Sequence, residues 1–305
     1  MSNQMGMCSL PREFHESWVT CLLMLGKRFG KTRNAEMAFG RADWHQRYHQ
    51  QSLWTRDLRS YLYSRLPVDN LENIIEVGCG TGVILKELLE RFAASSNGRI
   101  YGLDFDEGNL RFAKEYLPQT RLCTGDAHRL PYADACFDLT VCHFLLLWVK
   151  DPGQVLQEMV RVTRSGGAVA AFAEPDYSGR IDYPETLAQL GEWQVSSLQL
   201  QGANPRIGRM LCALLHRAGL INIQAGVLGN QWYEPPSLQD RQREWAVLQE
   251  DLDRLLPAMT DHEIAEITSQ VEKLRAEEEQ AWERGDRILF VPTFYAWGVV
   301  AERPS

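Results

Sequence analysis

The chain has 305 residues, and 45% of them are hydrophobic, which suffices for one large domain or two small ones with a full core. The formal net charge is −8, so most of the surface repels phosphate backbones and nucleic acid is not an expected partner. The seven cysteines are irregularly spaced without a Cys-x-x-Cys pair, which argues against a disulfide framework and a structural zinc site.

The hydrophobic pattern contains no long apolar segment. The longest apolar runs, Leu22–Leu25 and Phe144–Val149, are far too short to cross a bilayer. The first residues lack the basic-then-apolar order of a signal peptide. We therefore expect a cytoplasmic protein that does not contact a membrane and holds no metal.

Between residues 73 and 173, short β-rich runs alternate with segments of helical periodicity. The predicted strands are Ile74–Val77, Ile100–Leu103, Arg121–Cys123, Phe137–Cys142 and Ala168–Ala173. The predicted helices are residues 83–92, Glu107–Leu117 and Pro152–Thr163. This alternation indicates βαβ units and a parallel sheet.

After Glu174 the pattern becomes mostly helical. Helices are predicted at Pro184–Gln201, Arg206–Ala218 and Ser237–Ala281, the last interrupted at Pro257 and restarted by the capping box Thr260-x-x-Glu263. Strands are predicted at Ile221–Leu228 and Ile288–Ala301. We therefore predict a helical, aromatic-rich N-terminal cap and one large domain with two helical insertions; the ranges are 1–60 for the cap, 61–305 for the domain, and about 178–205 and 230–287 for the insertions.

A glycine-rich segment, Glu-Val-Gly-Cys-Gly-Thr-Gly at residues 76–82, lies between the first predicted strand and the following helix. Glycines at such a turn let a ligand lie against the backbone, and the helix N-terminus offers free amides. A dinucleotide fingerprint requires its third glycine at Val83, and no Gly-Lys-Ser/Thr of a phosphate-binding loop follows. The spacing therefore opposes a nucleotide-dependent oxidoreductase, which is kept as an alternative.

The glycine-rich segment resembles the first motif of class I S-adenosylmethionine-dependent methyltransferases. More closely, it is similar to the branch that includes ubiquinone and menaquinone biosynthesis enzymes. The resemblance covers about residues 73–230, and further motifs follow in order: Gly125-Asp126-Ala127, Leu130-Pro131-Tyr132, Phe137-Asp138 and Leu156-x-Glu158-x-x-Arg161-Val162. It implies an α/β, Rossmann-like, doubly wound and mostly parallel seven-stranded sheet, with S-adenosyl-L-methionine as cofactor.

The resemblance also implies a set of cofactor-binding residues. Asp104 ends the second strand, where the family places an acid on the ribose hydroxyls, and Asp106 is its rival. Glu76 either lies near the methionine end of the cofactor or braces the loop, and Asp138 caps its strand. The full set is Glu76, Gly78, Cys79, Gly80, Gly82, Asp104, Phe105, Asp126, Ala127 and His143.

The sequence gives fewer signals for the residues that contact the methyl acceptor. His143, at the end of the fourth strand, is a candidate general base, with a cofactor contact or a lining residue as equal alternatives. Glu174, Asp176 and Tyr177 follow the fifth strand, where they either face the acceptor or shape the loop. Two tryptophans are candidates for an apolar pocket; they are Trp18 and Trp232.

The expected function is methyl transfer from S-adenosylmethionine to a small molecule, by an in-line displacement that depends on positioning. The alternative from another class is a non-catalytic protein that binds the same cofactor. The helical excursions are interpreted as a lid over the acceptor, or else as a fixed layer or a dimer contact. A homodimer is compatible with the sequence.

Overall fold

The computed structural model describes residues 40–66, 71–93, 98–227 and 236–302. The described residues from Arg41 onward belong to one compact unit. The compact unit includes a helix that spans residue 60, the predicted end of the cap. The division into cap and enzymatic domain stays a prediction.

The described part of the chain contains a large sheet and a small one. The strands are β1 (Asn73–Val77), β2 (Arg99–Asp104), β3 (Arg121–Thr124), β4 (Phe137–Cys142), β5 (Thr163–Pro175), β6 (Ile181–Tyr183), β7 (Leu220–Val227), β8 (Ile288–Phe290) and β9 (Thr293–Val300). Seven of them form one sheet in the order β3-β2-β1-β4-β5-β9-β7. Pairs from β3 to β5 are parallel, and β9 runs antiparallel to both its neighbours. The predicted mostly parallel seven-stranded sheet is confirmed.

Helices cover both faces of this sheet. The α-helices of the described residues are α1 (Arg41–Trp54), α2 (Arg56–Tyr63), α3 (Val83–Leu88), α4 (Glu107–Tyr116), α5 (Pro152–Val162), α6 (Ala188–Leu200), α7 (Leu211–Arg217), α8 (Leu238–Leu255) and α9 (Asp261–Arg284). One core contains residues of α5 and α7, and the other contains residues of α2, α3 and α4. Because both faces are covered, every residue of β4 is buried. No described helix is both long enough and apolar enough to cross a bilayer.

The prediction of one last strand over Ile288–Ala301 is wrong. The chain forms β8 and β9 instead, separated by Val291 and Pro292. A proline has no amide hydrogen to donate and so favours a break in a ladder. β8 pairs with β6 in a separate two-stranded sheet, whereas β9 joins the large sheet between β5 and β7.

The helical insertions have a core of their own. Six buried residues from the segments around α6, α8 and α9 form it: Leu187, Leu190, Trp193, Leu252, Leu255 and Ala281. The predicted capping box is present, with the Thr260 hydroxyl accepting from the Glu263 amide and the Glu263 carboxylate accepting from the Thr260 amide. The insertions therefore fold against one another.

A buried ionic cluster joins α9 to the small sheet. Arg287, whose side chain is fully buried, donates to Asp182 Oδ1 at 2.8 Å and to Glu278 Oε1 at 2.9 Å. Arg180 donates to the second Asp182 oxygen at 2.7 Å. Each charge thus has an opposite partner, which a buried charge requires.

We predict that Arg287→Met lowers the free energy of unfolding by about 3–5 kcal/mol, because it leaves the buried Glu278 carboxylate without its cation. Urea denaturation followed by circular dichroism measures the change. The matched control is Arg284→Met. It removes a half-exposed guanidinium that pairs with Asp286 at the surface, so little change in the free energy of unfolding is expected. Equal effects of the two substitutions would show that the buried cluster is not a structural tie.

Candidate active site

The glycine turn between β1 and α3 adopts backbone angles that favour glycine. Gly78, Gly80 and Gly82 have φ angles of +75°, +51° and +84°, a region that other residues adopt at a cost. A Cβ on Gly78 would also lie 2.6 Å from Leu145 Cδ1. The turn consequently brings its backbone to the carboxyl edge of the sheet, where ligands of open α/β sheets bind.

Asp104, the last residue of β2, ties this turn to the next loop. Its Oδ2 accepts from the Gly80 amide at 2.7 Å, and its Oδ1 accepts from the Asp106 amide at 2.9 Å. Burial raises the pKa of the Asp104 carboxyl, and these two amides oppose the rise. The carboxylate lies directly beside the glycine turn.

Asp106 has a different task. It caps α4, accepting from the Gly108 amide at 2.7 Å and from Arg41 Nη1 at 3.2 Å. Partial burial works against ionisation, but the hydrogen bonds from Arg41 and Gly108 outweigh it and lower the pKa of Asp106. The geometry therefore separates the two rival acids: Asp104 holds the glycine turn and Asp106 begins the next helix.

Glu76 offers an unpaired acceptor at the start of the turn. The side chain is buried, and its Oε2 has no hydrogen-bond partner among the described residues. Burial, with a contribution from the Asp104 charge, raises the pKa of Glu76 well above its ordinary value. A buried oxygen without a partner costs stability unless a ligand supplies a donor, so Glu76 fits a ligand with an amino group here.

Helix α1, from the predicted N-terminal cap, covers the glycine turn, and its residues His45 and Tyr48 were not among the predicted site residues. His45 Nδ1 lies 2.8 Å from Thr81 Oγ1, and the Tyr48 ring lies where a Cβ on Gly80 would contact it at 3.5 Å. Burial, followed by the charges of Asp104 and Asp106, raises the pKa of the Tyr48 hydroxyl. In the sequence, His45, Tyr48 and Thr55 recur at helical spacing. This repeated pattern of polar and aromatic residues was the signal that could have identified them as site residues.

His143 follows β4 and contacts the same cap. Its Nε2 lies 2.9 Å from Thr55 Oγ1, at the junction of α1 and α2. Burial, with the nearby Arg59 charge, lowers the pKa of His143 well below its ordinary value. Both effects favour the neutral form of the imidazole.

The residues after β5 mostly make internal contacts. Both oxygens of the buried Glu174 accept from backbone amides: Oε1 from Leu145 and Leu146 at 2.9 Å, and Oε2 from Leu147 at 3.3 Å. Asp176 is buried and ion-paired with Arg209. Burial raises the pKa of Tyr177 to about 12. This geometry favours the loop-shaping interpretation for Glu174 and Asp176, and acceptor contacts stay a prediction.

The predicted adenine side has an exposed ring and a braced turn. Phe105, next to Asp104, is 83% exposed and offers a flat apolar surface. Asp126 Oδ1 accepts from the His128 amide at 2.9 Å, and Ala127 is buried. Cys79 is also buried, within the turn.

The remaining motifs hold the edge of the sheet in place. Arg161 donates to the carbonyls of Leu130 and Tyr132 at 3.0 and 2.9 Å, and Glu158 accepts from the Leu130 amide at 2.8 Å. Asp138 Oδ2 accepts from the amides of residues 72 and 73, so this carboxylate ties β4 to the start of the neighbouring β1. Trp18 and Trp232 lie outside the described residues. Within those residues, no three His, Cys, Asp or Glu side chains are grouped to hold a metal ion.

Comparison with known proteins agrees with this geometry. Residues 75–171 match the family described as Methyltransferase domain. Demethylmenaquinone methyltransferase of Halalkalibacterium halodurans is 35% identical over 130 residues, 41% of this chain and 51% of that protein. Malonyl-(acyl-carrier protein) O-methyltransferase of Pseudescherichia vulneris is 31% identical over 138 residues, 45% of this chain and 52% of that protein. The chain spans about half the length of these relatives.

Solved structures share the fold at low identity. One is the complex between the Haloferax volcanii Trm112 methyltransferase activator and a methyltransferase, with a TM-score of 0.53 at 16% identity. The match covers 86% of this chain and 96% of that chain. This similarity establishes the doubly wound architecture.

The Glu174 carboxyl predicts a pH dependence of stability. Burial raises its pKa from 4.5 to about 7, so the folded protein holds a proton there that the unfolded chain has lost. That contribution is full below about pH 4.5 and disappears as the pH rises through about 7, for a total of about 3 kcal/mol. We expect wild type to lose this much more stability than Glu174→Gln over that range in urea titrations.

The control for this experiment is Glu158→Gln. Hydrogen bonding to Arg161 lowers the pKa of the Glu158 carboxyl, so that group contributes stability at neutral pH and loses it as the pH falls. The difference in free energy of unfolding between wild type and each variant should therefore change with pH in opposite directions for the two variants. Parallel curves for wild type and Glu174→Gln would contradict the assignment.

Proposed function

We propose that this chain, whose residues 75–171 match the family described as Methyltransferase domain, binds S-adenosylmethionine at the glycine turn and methylates a small-molecule acceptor. The observation that carries the proposal is the Asp104 carboxylate, fixed by two amides beside a three-glycine turn at the sheet's carboxyl edge. A carboxylate in this place suits the vicinal hydroxyls of a ribose.

The residues around the turn fit the rest of the cofactor. The unpaired Glu76 oxygen suits its amino group, and the exposed Phe105 ring suits its adenine. Asp126 and Ala127, on the loop after β3, complete the adenine side of the proposed site. The cofactor supplies a methyl group made electrophilic by a positively charged sulfur.

The chain's own contribution is to position the reactants and to exclude water. Holding a nucleophile in line with a bound methyl group lowers the activation free energy by about 7–11 kcal/mol in favourable cases. Helix α1 lies over the glycine turn through His45 and Tyr48, which limits water in the cleft. His143 lies at the end of β4, and β4 pairs with β1 where the turn begins.

Two observations support a small acceptor. The relatives named above act, by their names, on demethylmenaquinone and on malonyl-acyl-carrier protein. The net charge of −8 opposes a nucleic-acid acceptor. A quinone-like or acyl acceptor is consistent with both.

The direct test is calorimetric titration of the purified protein with S-adenosylhomocysteine and, separately, with NAD. Saturable binding of S-adenosylhomocysteine at one site, without binding of NAD, is the expected result. Binding of NAD alone would support an oxidoreductase instead. Turnover against an acceptor panel then separates an enzyme from a protein that only binds the cofactor.

We predict that Asp104→Ala weakens S-adenosylhomocysteine binding by about 1.5–3 kcal/mol, the range for hydrogen bonds to a charged group. The matched control is Asp106→Ala, which removes the cap of α4 at a cost of about 1 kcal/mol in stability but leaves the glycine turn in place. Calorimetry gives the affinities, and thermal melts confirm that both variants are folded. Equal losses of affinity would contradict the placement of the ribose at Asp104.

A further inference from the structure

The hydrogen bonds around Thr55 indicate which nitrogen of His143 carries the proton. Thr55 Oγ1 accepts a hydrogen bond from Arg59, because a guanidinium can only donate. The hydroxyl has one proton to donate, and the 2.9 Å contact with His143 Nε2 is the shortest contact available to that proton, which favours Nε2 as its acceptor. The other acceptors, the carbonyls of Gln51 and Ser52, lie farther away at 3.3 and 3.4 Å.

Arg59 is held in a fixed position for this contact. Its Nε donates to both oxygens of Glu87 at 3.0 Å, and its Nη2 donates at 2.6 Å. The Arg59 side chain is almost fully buried, so its charge stays close to His143 and opposes a second positive charge. A neutral imidazole that accepts at Nε2 must carry its hydrogen on Nδ1.

Nδ1 is the free end of this chain of hydrogen bonds. It has no hydrogen-bond partner among the described residues, and the His143 residue is only partly buried. His143 directly follows Cys142, which pairs with Val77 just before the glycine turn. The donor therefore lies at the edge of the sheet that holds the proposed cofactor site.

We propose that His143 is an Nδ1–H hydrogen-bond donor to the methyl acceptor, and that the acceptor is an oxyanion such as a phenolate, enolate or carboxylate. This inference rests on the proposed function. Thr55 is the positioning residue, because it fixes the tautomer without touching the acceptor. A donor of this kind stabilises an anionic oxygen and lowers its pKa, whereas a protonated amine has no lone pair to accept the bond.

The reaction then needs no base. A lone pair of the acceptor forms the new bond to the methyl carbon, the carbon–sulfur bond breaks, and its electron pair stays on sulfur. The anion becomes a neutral methylated product as the sulfonium charge disappears, and no proton is transferred. His143 keeps its Nδ1 proton throughout.

The first experiment reads the tautomer directly, in the full-length protein with histidines labelled by ¹⁵N. Two-bond proton–nitrogen correlation spectra at pH 7.5 distinguish the two neutral forms and the cation, and His143→Gln assigns the signal among the seven histidines. We expect the Nδ1–H form. A neutral Nε2–H form or an imidazolium would overturn the proposal, and neither result depends on cofactor or acceptor.

Two variants of Thr55 test the cause. Thr55→Ser keeps the hydroxyl and should keep the Nδ1–H form, whereas Thr55→Val keeps the shape and should shift the imidazole towards Nε2–H. Thermal melts show whether each variant is folded. A spectrum that is the same in folded Thr55→Val as in wild type would show that Thr55 does not set the tautomer.

The second experiment tests the acceptor class through release of S-adenosylhomocysteine. Phenols and carboxylic acids should be methylated faster than amines. Asparagine places an amide nitrogen at the same two bonds from Cβ as Nδ1, so turnover of His143→Gln should fall about 10–100-fold below that of His143→Asn. Equal losses, or preference for amines, would overturn the donor role; absence of S-adenosylhomocysteine binding by wild type would instead overturn the proposed function.

Discussion

The Asp104 carboxylate accepts hydrogen bonds from two backbone amides, one in the glycine turn and one in the loop after β2. Because β1 and β2 are parallel neighbours, this contact fixes the two loops at the same edge of the sheet. The turn itself is kept against β2 by the amides of Gly78 and Cys79, which donate to the Leu103 carbonyl at 2.7 and 2.9 Å. The glycine turn and the loop after β2 are therefore held in fixed positions, and the positioning of a ligand at this edge of the sheet depends on them.

The cover of the cleft comes from helices remote in sequence. α1 contacts the turn through His45 and Tyr48, and it contacts the insertion through an ion pair between Arg47 and Glu244 of α8. Gln46 adds a second contact, because Arg243 Nη2 donates to its Oε1 at 3.0 Å. The cap helix thus connects the proposed cofactor site to the helical layer, so the two are mechanically linked, and motion of that layer as a lid stays a prediction.

The sequence predicted what depends on local pattern. The alternation of strands and helices, the three glycines, and acids at strand ends follow from short-range rules, and the large sheet agrees with them. The break at Pro292 was missed because an apolar run on either side of a proline has the same period as one strand. The contact of Thr55 with His143, 88 positions away, and the three amides on Glu174 depend on tertiary packing, which periodicity does not encode.

A crystal structure of the protein grown with S-adenosylhomocysteine tests the central claim most directly. The account predicts the ligand against the glycine turn, with both ribose hydroxyls within hydrogen-bond distance of Asp104, its amino group at Glu76, and its sulfur facing His143. A ligand bound at another edge of the sheet, or bound at the turn without contact to Asp104, would contradict the account.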